Sequence, residues 1–335
     1  MADAVRRLFI HAGPPKTGSS AVQHIFRTHD IPSVMYPKVG LWADGSHHNL
    51  MLNFYRDFNR PEVTQTDIHE MFEAIGADAR RTSHNMLISS EGLVARDVGA
   101  LIRALLPYLG GARWEPEILI VCREHFEICA SSYNQRVKDA VVLERRGPDD
   151  FLAEDRFAYA PIVRKLRASG FPVTALNYHP AEDFVQRFLS HIGVSDARPI
   201  DNERRNISLS VKGLIATLAA NNVAQTAADR HRCDSAIRRL RPFFAPSGFI
   251  FGREAAEAAE LRFRDDRRFL SDEFGIELPS GDLAARQNGF FIDRRELEEI
   301  AAVTRDLGPE GSAIVAFASR YLRSEPGAEP PGARR

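Results

Sequence analysis

Cysteine is nearly missing from this chain: Cys122, Cys129 and Cys233 are the three among 335 residues. That excludes a disulfide-stapled scaffold and fits a reducing compartment. An excess of charge is also lacking, since 44 Lys and Arg face 45 Asp and Glu for a net charge of −1. With no basic tract, the electrostatic footprint of a nucleic-acid binder is missing, so no nucleic-acid partner is expected. The overall charge does not suggest a polyanionic acceptor either, although a local groove stays open. No apolar run approaches the ~20 residues of a membrane-spanning helix, and residues 1–10 lead straight into an apolar strand without room for a signal peptide. A cytoplasmic protein without a transmembrane segment is expected. Metal-ligand spacing is wanting too: His47 and His48 have no further ligands nearby, and the isolated pair His231 and Cys233 reads as incidental. No metal is expected.

What is present is a core. Hydrophobic residues make up 44% of the chain, enough for one large or two smaller domains. In the first half, strand and helix patterns alternate. Strands are expected near 7–12, 86–90, 117–122 and 173–176. Helices are expected at 18–29, around 48–57 and 66–79, and at 93–108, 125–139, 158–169 and 181–193. Such alternation predicts an α/β fold with a mainly parallel central sheet covered on both faces. Beyond about residue 200 the strand signal fades and helical patterns dominate, at 208–221, 226–243, 253–274 and 294–306. The expected organisation is an α/β core over 1–200, a helical part packed on it over 201–323, and a Pro/Gly-rich disordered tail over 324–335.

Residues 8–23 carry the chemistry. An apolar run ends in a Gly/Pro turn, and a helix-compatible segment follows at once. There the amides of Thr17, Gly18, Ser19 and Ser20 come to a helix start, where unpaired N–H groups and the dipole favour an anion. Gly13 and Gly18 have the spacing of the nucleoside-triphosphate loop G-x-x-x-x-G-K-[ST], but Ser19 stands in the lysine position. The lysine sits earlier, at Lys16. That shift suits a 5′-phosphate bearing one further group better than a triphosphate with Mg²⁺. The competing reading is an ordinary Gly/Pro turn with a surface lysine.

A second segment, 117–138, repeats the arrangement. Ile118 to Cys122 form an apolar run, Arg123 stands at its end, and Ser131 follows by eight residues, about two turns into the next helix. Arg offers a planar fork for phosphate oxygens. Taken singly, Arg123 reads as a surface ion pair with Glu124 or Glu127, and Ser131 as a helix serine bonded to its own backbone.

Together the two segments resemble the 3′-phosphoadenosine-5′-phosphosulfate (PAPS)-dependent sulfotransferases, whose fold is like that of the P-loop NTPases. Pro15, Lys16, Thr17, Gly18, Ser19 and Ser20 match the family's P-K-x-G-[ST]-[ST] loop for the 5′-phosphosulfate. Arg123 and Ser131 match the Arg and Ser that hold the 3′-phosphate. His11 and Gly13 fit the opening of the bacterial glycan- or lipid-type members. The resemblance implies PAPS as sulfuryl donor and a hydroxyl or amine acceptor on a glycan, lipid or small molecule. It further implies that Lys16 stabilises the leaving phosphate, restrained by Ser131 until the acceptor arrives.

Glu91 is the candidate base. Met86 to Ile88 read as a short buried strand, and Glu91 falls just past its end, where open α/β sheets bind ligands. In several glycan-acting relatives a Glu in the corresponding position serves as base. The alternative is a carboxylate stabilising a helix that starts near Gly92. His48 is a second candidate for acid/base work or acceptor contact, against an exposed loop pair with His47. Gln135 and Lys138 continue one face of the 125–139 helix and read either as acceptor contacts or as a solvated edge, the second being preferred. Arg204 and Arg205 are the nearest counterpart of the family's late basic loop but depart from its R-K-G form. A P-loop kinase or NTPase, and a non-catalytic nucleotide-binding protein, are the alternatives; the missing Walker lysine speaks against the first.

Overall fold

The computed structural model describes residues 5–29, 31–59, 63–154, 157–178, 184–194, 208–246, 248–279, 283, 286 and 289–323. Arg204, Arg205 and the expected tail lie outside these. In chain order the elements are β1 (Val5–His11), α1 (Ser19–Thr28), β2 (Val34–Met35), α2 (His48–Phe54), α3 (Ile68–Arg80), β3 (Asn85–Ser89), a 3-10 turn (Glu91–Ala95), α4 (Val98–Leu109) and β4 (Arg113–Cys122). Then follow α5 (His125–Lys138), α6 (Pro148–Leu152), α7 (Tyr159–Arg167), β5 (Val173–Asn177), α8 (Phe184–His191), α9 (Val211–Val223), α10 (Ala227–Ile237), α11 (Arg253–Phe274), α12 (Arg294–Thr304) and α13 (Pro309–Ala318). The chain divides into two compact units: Met1–Glu124, Ala158–Glu203 and Asp265–Pro279 form one, His125–Phe157, Arg204–Arg264 and Ser280–Arg335 the other.

The first unit is a three-layer α/β fold on a five-stranded sheet in the order β2-β3-β1-β4-β5, every pair parallel. The strands read as unbroken apolar runs because both faces are covered. Side chains alternate across the sheet. On one face Phe9, Leu87, Leu119 and Val121 meet Val22, Ile25 and Phe26 of α1 and Phe184, Phe188 and Leu189 of α8. Leu8, Ile10, Met86, Ile88, Ile118 and Ile120 alternate with them and are equally buried. β1 lies between β3 and β4, so the carboxyl ends of these three strands are neighbours. The crevice beyond such ends, where the strand order reverses, is where ligands bind in these sheets.

Lower in the sheet, Glu117 of β4 accepts hydrogen bonds from Thr174 Oγ1 at 2.6 Å and His191 Nε2 at 2.9 Å, and pairs with Arg7. Burial alone pushes its carboxyl up, but the bonds from His191 and Thr174 and the Arg7 charge outweigh it and hold the group below its usual range.

The second unit is helical. α9 is buried over residues 212–221, with Leu214, Ile215, Ala216, Leu218 and Ala219 at its core and α5, α10 and α13 packed on it. Asn221 closes one end, donating to the carbonyls of Val137 at 3.0 Å and Glu144 at 2.8 Å while accepting from the buried Arg230. Capping boxes start α10 (Thr226 with Asp229) and α12 (Asp293 with Glu296).

The three cysteines are free and buried, Cys122 on β4, Cys129 on α5 and Cys233 on α10. Among the described residues, no helix is long and apolar enough to cross a membrane.

The helix expected over 93–108 comes in two pieces. The chain turns once as a 3-10 helix from Glu91, extends at Arg96, and restarts where the Asp97 side chain caps Ala100 N at 3.0 Å. The pattern-derived helix over 226–243 stops at Ile237. The short β2 and α6, and α13, were not expected from the sequence pattern.

Candidate functional site

The turn from β1 into α1 is held open by its backbone. Lys16 and Gly18 both have positive φ, 71° and 91°. Thr17 Oγ1 donates to the Pro14 carbonyl at 2.8 Å and closes the loop from within. For Lys16, which carries a Cβ, the left-handed conformation costs roughly 1–2 kcal/mol. A strained loop residue of this kind is a common mark of a ligand site. Gly18 is the N-cap of α1 and no side-chain oxygen caps the helix. Ser19 Oγ is buried there without a hydrogen-bond partner among the described residues. Uncapped amides, a helix dipole and an unpartnered hydroxyl make an anion-accepting corner. Pro15 and Ser20 are exposed beside it, Lys16 half-buried.

Arg123, just past β4, reaches this loop. Its Nη1 donates to the Lys16 carbonyl at 3.0 Å, and its guanidinium lies 5.0 Å from the centre of the Tyr178 ring. Two candidates far apart in sequence thus share one corner of the sheet's carboxyl edge. Ser131 stands half-buried on α5, in the second unit. Gln135 on the same helix is exposed, while Lys138 is half-buried, which pushes its ammonium below the usual lysine range.

Glu91 opens the 3-10 turn directly after β3 and is half-buried. Gln23 Nε2 on α1 donates to its Oε2 at 3.1 Å and to Ser89 Oγ at 3.1 Å. His48 Nε2 is 3.6 Å from the same Oε2, and its Nδ1 is 2.6 Å from Ser90 Oγ. The Trp42 ring meets His48 edge-on at 5.0 Å. His48, entering α2, is therefore beside Glu91 and not an exposed loop residue.

Two further histidines lie beneath. His47 Nε2 is 2.9 Å from the Pro37 carbonyl while its Nδ1 accepts from Ser89 N at 3.2 Å. Both bonds are satisfied by the neutral ring with its proton on Nε2. His11 Nδ1 is 2.9 Å from Ser89 Oγ, and its Nε2 is buried without a partner among the described residues. Burial lowers both imidazoles to about 4; for His11 the charge of Glu91 pulls the other way but less strongly.

A histidine whose folded value is depressed stabilises the fold above its unfolded value of about 6.5, and that stability is lost as pH falls toward the folded value. Urea unfolding is therefore expected to show a loss of a few kcal/mol between about pH 6.5 and pH 4. In His47→Gln the slope of stability against pH should flatten across that window. An unchanged slope overturns the assignment of buried neutral histidines.

No family model matches the sequence, and no curated protein is similar to it. Among solved structures the chain is similar to a sulfotransferase from Alicyclobacillus acidocaldarius, with a TM-score of 0.42 and 17% identity over 71% of this chain and 98% of that one. Among the described residues, no group of three His, Cys, Asp or Glu side chains is placed to hold a metal ion.

Sequence reasoning did not single out Gln23, Ser89 or His11 as parts of the Glu91 surroundings. Gln23 left one signal: it is a polar residue beside Val22, Ile25 and Phe26 on the buried face of α1.

Proposed function

We propose that the chain is a PAPS-dependent sulfotransferase acting on a hydroxyl or amine of a glycan, lipid or small molecule. One observation carries this reading: an uncapped, anion-accepting helix start, a cation at Arg123 bonded to its loop, and a carboxylate on the next strand end all belong to one sheet edge. The sequence match of both segments to the sulfotransferase pattern supports it independently.

The Ser19 hydroxyl, buried without a partner among the described residues, and the open α1 amides fit a 5′-phosphosulfate. Residues 15–20 would hold that end, with Lys16 neutralising charge on the 5′-phosphate. Arg123 would hold the 3′-phosphate; for Ser131 the same role rests on the sequence match alone. When bound, the donor supplies the sulfuryl group, whose sulfur bonds to the acceptor oxygen or nitrogen as its bond to the 5′-phosphate oxygen breaks. Glu91 takes the proton that the acceptor gives up, and Lys16 stabilises the electron pair left on the phosphate. Positioning and electrostatics then carry most of the rate, as in phosphoryl transfer.

Thermal unfolding in the presence of adenosine 3′,5′-bisphosphate, ADP, or ATP with Mg²⁺ tests the reading. At 100 times its Kd, the bisphosphate should stabilise the chain by about 2.7 kcal/mol without metal. That shift should collapse in Arg123→Ala. Stabilisation by ATP with Mg²⁺ alone would favour a kinase instead.

A further inference from the structure

Glu91 is not held symmetrically. Gln23 donates to Oε2 at 3.1 Å, and the His48 ring faces that same oxygen at 3.6 Å. Oε1 has no bond from any described residue. The Gln23 amide is itself fixed, because it is buried and its nitrogen also donates to Ser89 Oγ at 3.1 Å. Ser89 Oγ in turn is 2.9 Å from His11 Nδ1. An amide nitrogen carries two protons, and here both face oxygens.

The position of Gln23 in the chain gives this contact its meaning. Gln23 follows Ser19 by four residues on α1, a rise of about 6 Å along the helix axis. The helix whose first turn forms the anion corner therefore also grips the carboxylate. We infer that Gln23 is the positioning residue for Glu91: it ties Oε2 to α1 at a fixed spacing from the donor loop and leaves Oε1 to receive the acceptor's proton. The inference rests on the sulfotransferase reading above. It assigns Gln23 a role distinct from donor binding, because Gln23 contacts the base and lies one turn beyond the loop.

Turnover of PAPS to adenosine 3′,5′-bisphosphate, with water or a phenol such as 2-naphthol as acceptor, provides the assay. Gln23→Met keeps length and removes the donor. It should lower kcat roughly 10–100-fold, with the KM for PAPS within about threefold of wild type. Gln23→Glu keeps the shape but sets an acceptor against an acceptor, and should behave likewise. Normal kcat in either folded variant, or a loss that falls on the KM for PAPS instead of kcat, overturns the role of Gln23. So does failure of both variants to fold, which would make the contact purely structural. Failure of the wild-type chain to bind adenosine 3′,5′-bisphosphate or turn over PAPS overturns the sulfotransferase reading and leaves the Gln23–Glu91 contact as a feature of the fold.

Discussion

Glu91→Gln is expected to cut sulfuryl transfer by about 10²–10⁴-fold, the usual worth of a general base. Binding of adenosine 3′,5′-bisphosphate should stay within about threefold of wild type. The two readouts separate because Glu91 hangs from β3, while the anion corner is built from the β1–α1 turn and Arg123. Glutamine keeps the shape of the side chain and can still accept from Gln23, so the fold is little disturbed. It cannot take a proton from an acceptor. Calorimetric titration of the bisphosphate and label transfer from ³⁵S-PAPS measure the two quantities on one preparation. Unchanged transfer removes Glu91 as the base.

Gly18→Ala is expected to be among the most damaging single changes in the first unit. Gly18 has φ +91°, and a Cβ built there would lie 2.8 Å from Phe184 Cε1 and 3.0 Å from Tyr178 Cε2. The backbone term is roughly 1–2 kcal/mol. Forcing the two rings aside adds roughly 1–3 kcal/mol. Binding should suffer beyond stability, because Gly18 sets the direction of the α1 amides and Tyr178 lies against Arg123. Gly170→Ala is the control: φ is +84° there, but nothing lies within 4 Å of the added carbon. It should show the backbone cost alone. Urea unfolding of the two variants isolates the steric part, and equal destabilisation would refute it.

The sheet was legible in the sequence because its strands are buried on both faces. Ile118 to Cys122 and Met86 to Ile88 read as apolar runs without alternation, and such runs have few other uses in a chain that also carries helical patterns. β2 was missed for the opposite reason: at two residues, Val34 and Met35, it is too short for any period. The break at Arg96 was hidden because the apolar residues Leu93, Val98, Leu101 and Ile102 keep an almost helical spacing across it. What interrupts the helix is the Asp97 cap, a single side-chain bond.

The candidate site was legible where its residues sit in one local stretch of sequence. Residues 15–20 form one loop, and a glycine at Gly18 meets a demand that few other residues can. The Glu91 surroundings were not legible. Gln23, His48, Ser89 and Ser90 come from α1, α2 and β3 and its exit, and meet through tertiary contacts that no spacing encodes. The sequence flagged His48 as a candidate but not its neighbours. Its partner Ser90 and its approach to Glu91 follow from the path of the chain between β2 and α2.

The buried thiols give the chain a reporter of its own motions. A thiolate is the reactive form, and desolvation pushes the Cys122 and Cys233 thiols above the ordinary range. An alkylating reagent therefore meets none of the three while the surrounding packing is closed. They divide between the units, Cys122 in the β-sheet unit and Cys129 and Cys233 in the helical one. Slow labelling followed by peptide mapping would then time the opening of each unit separately, without any engineered probe.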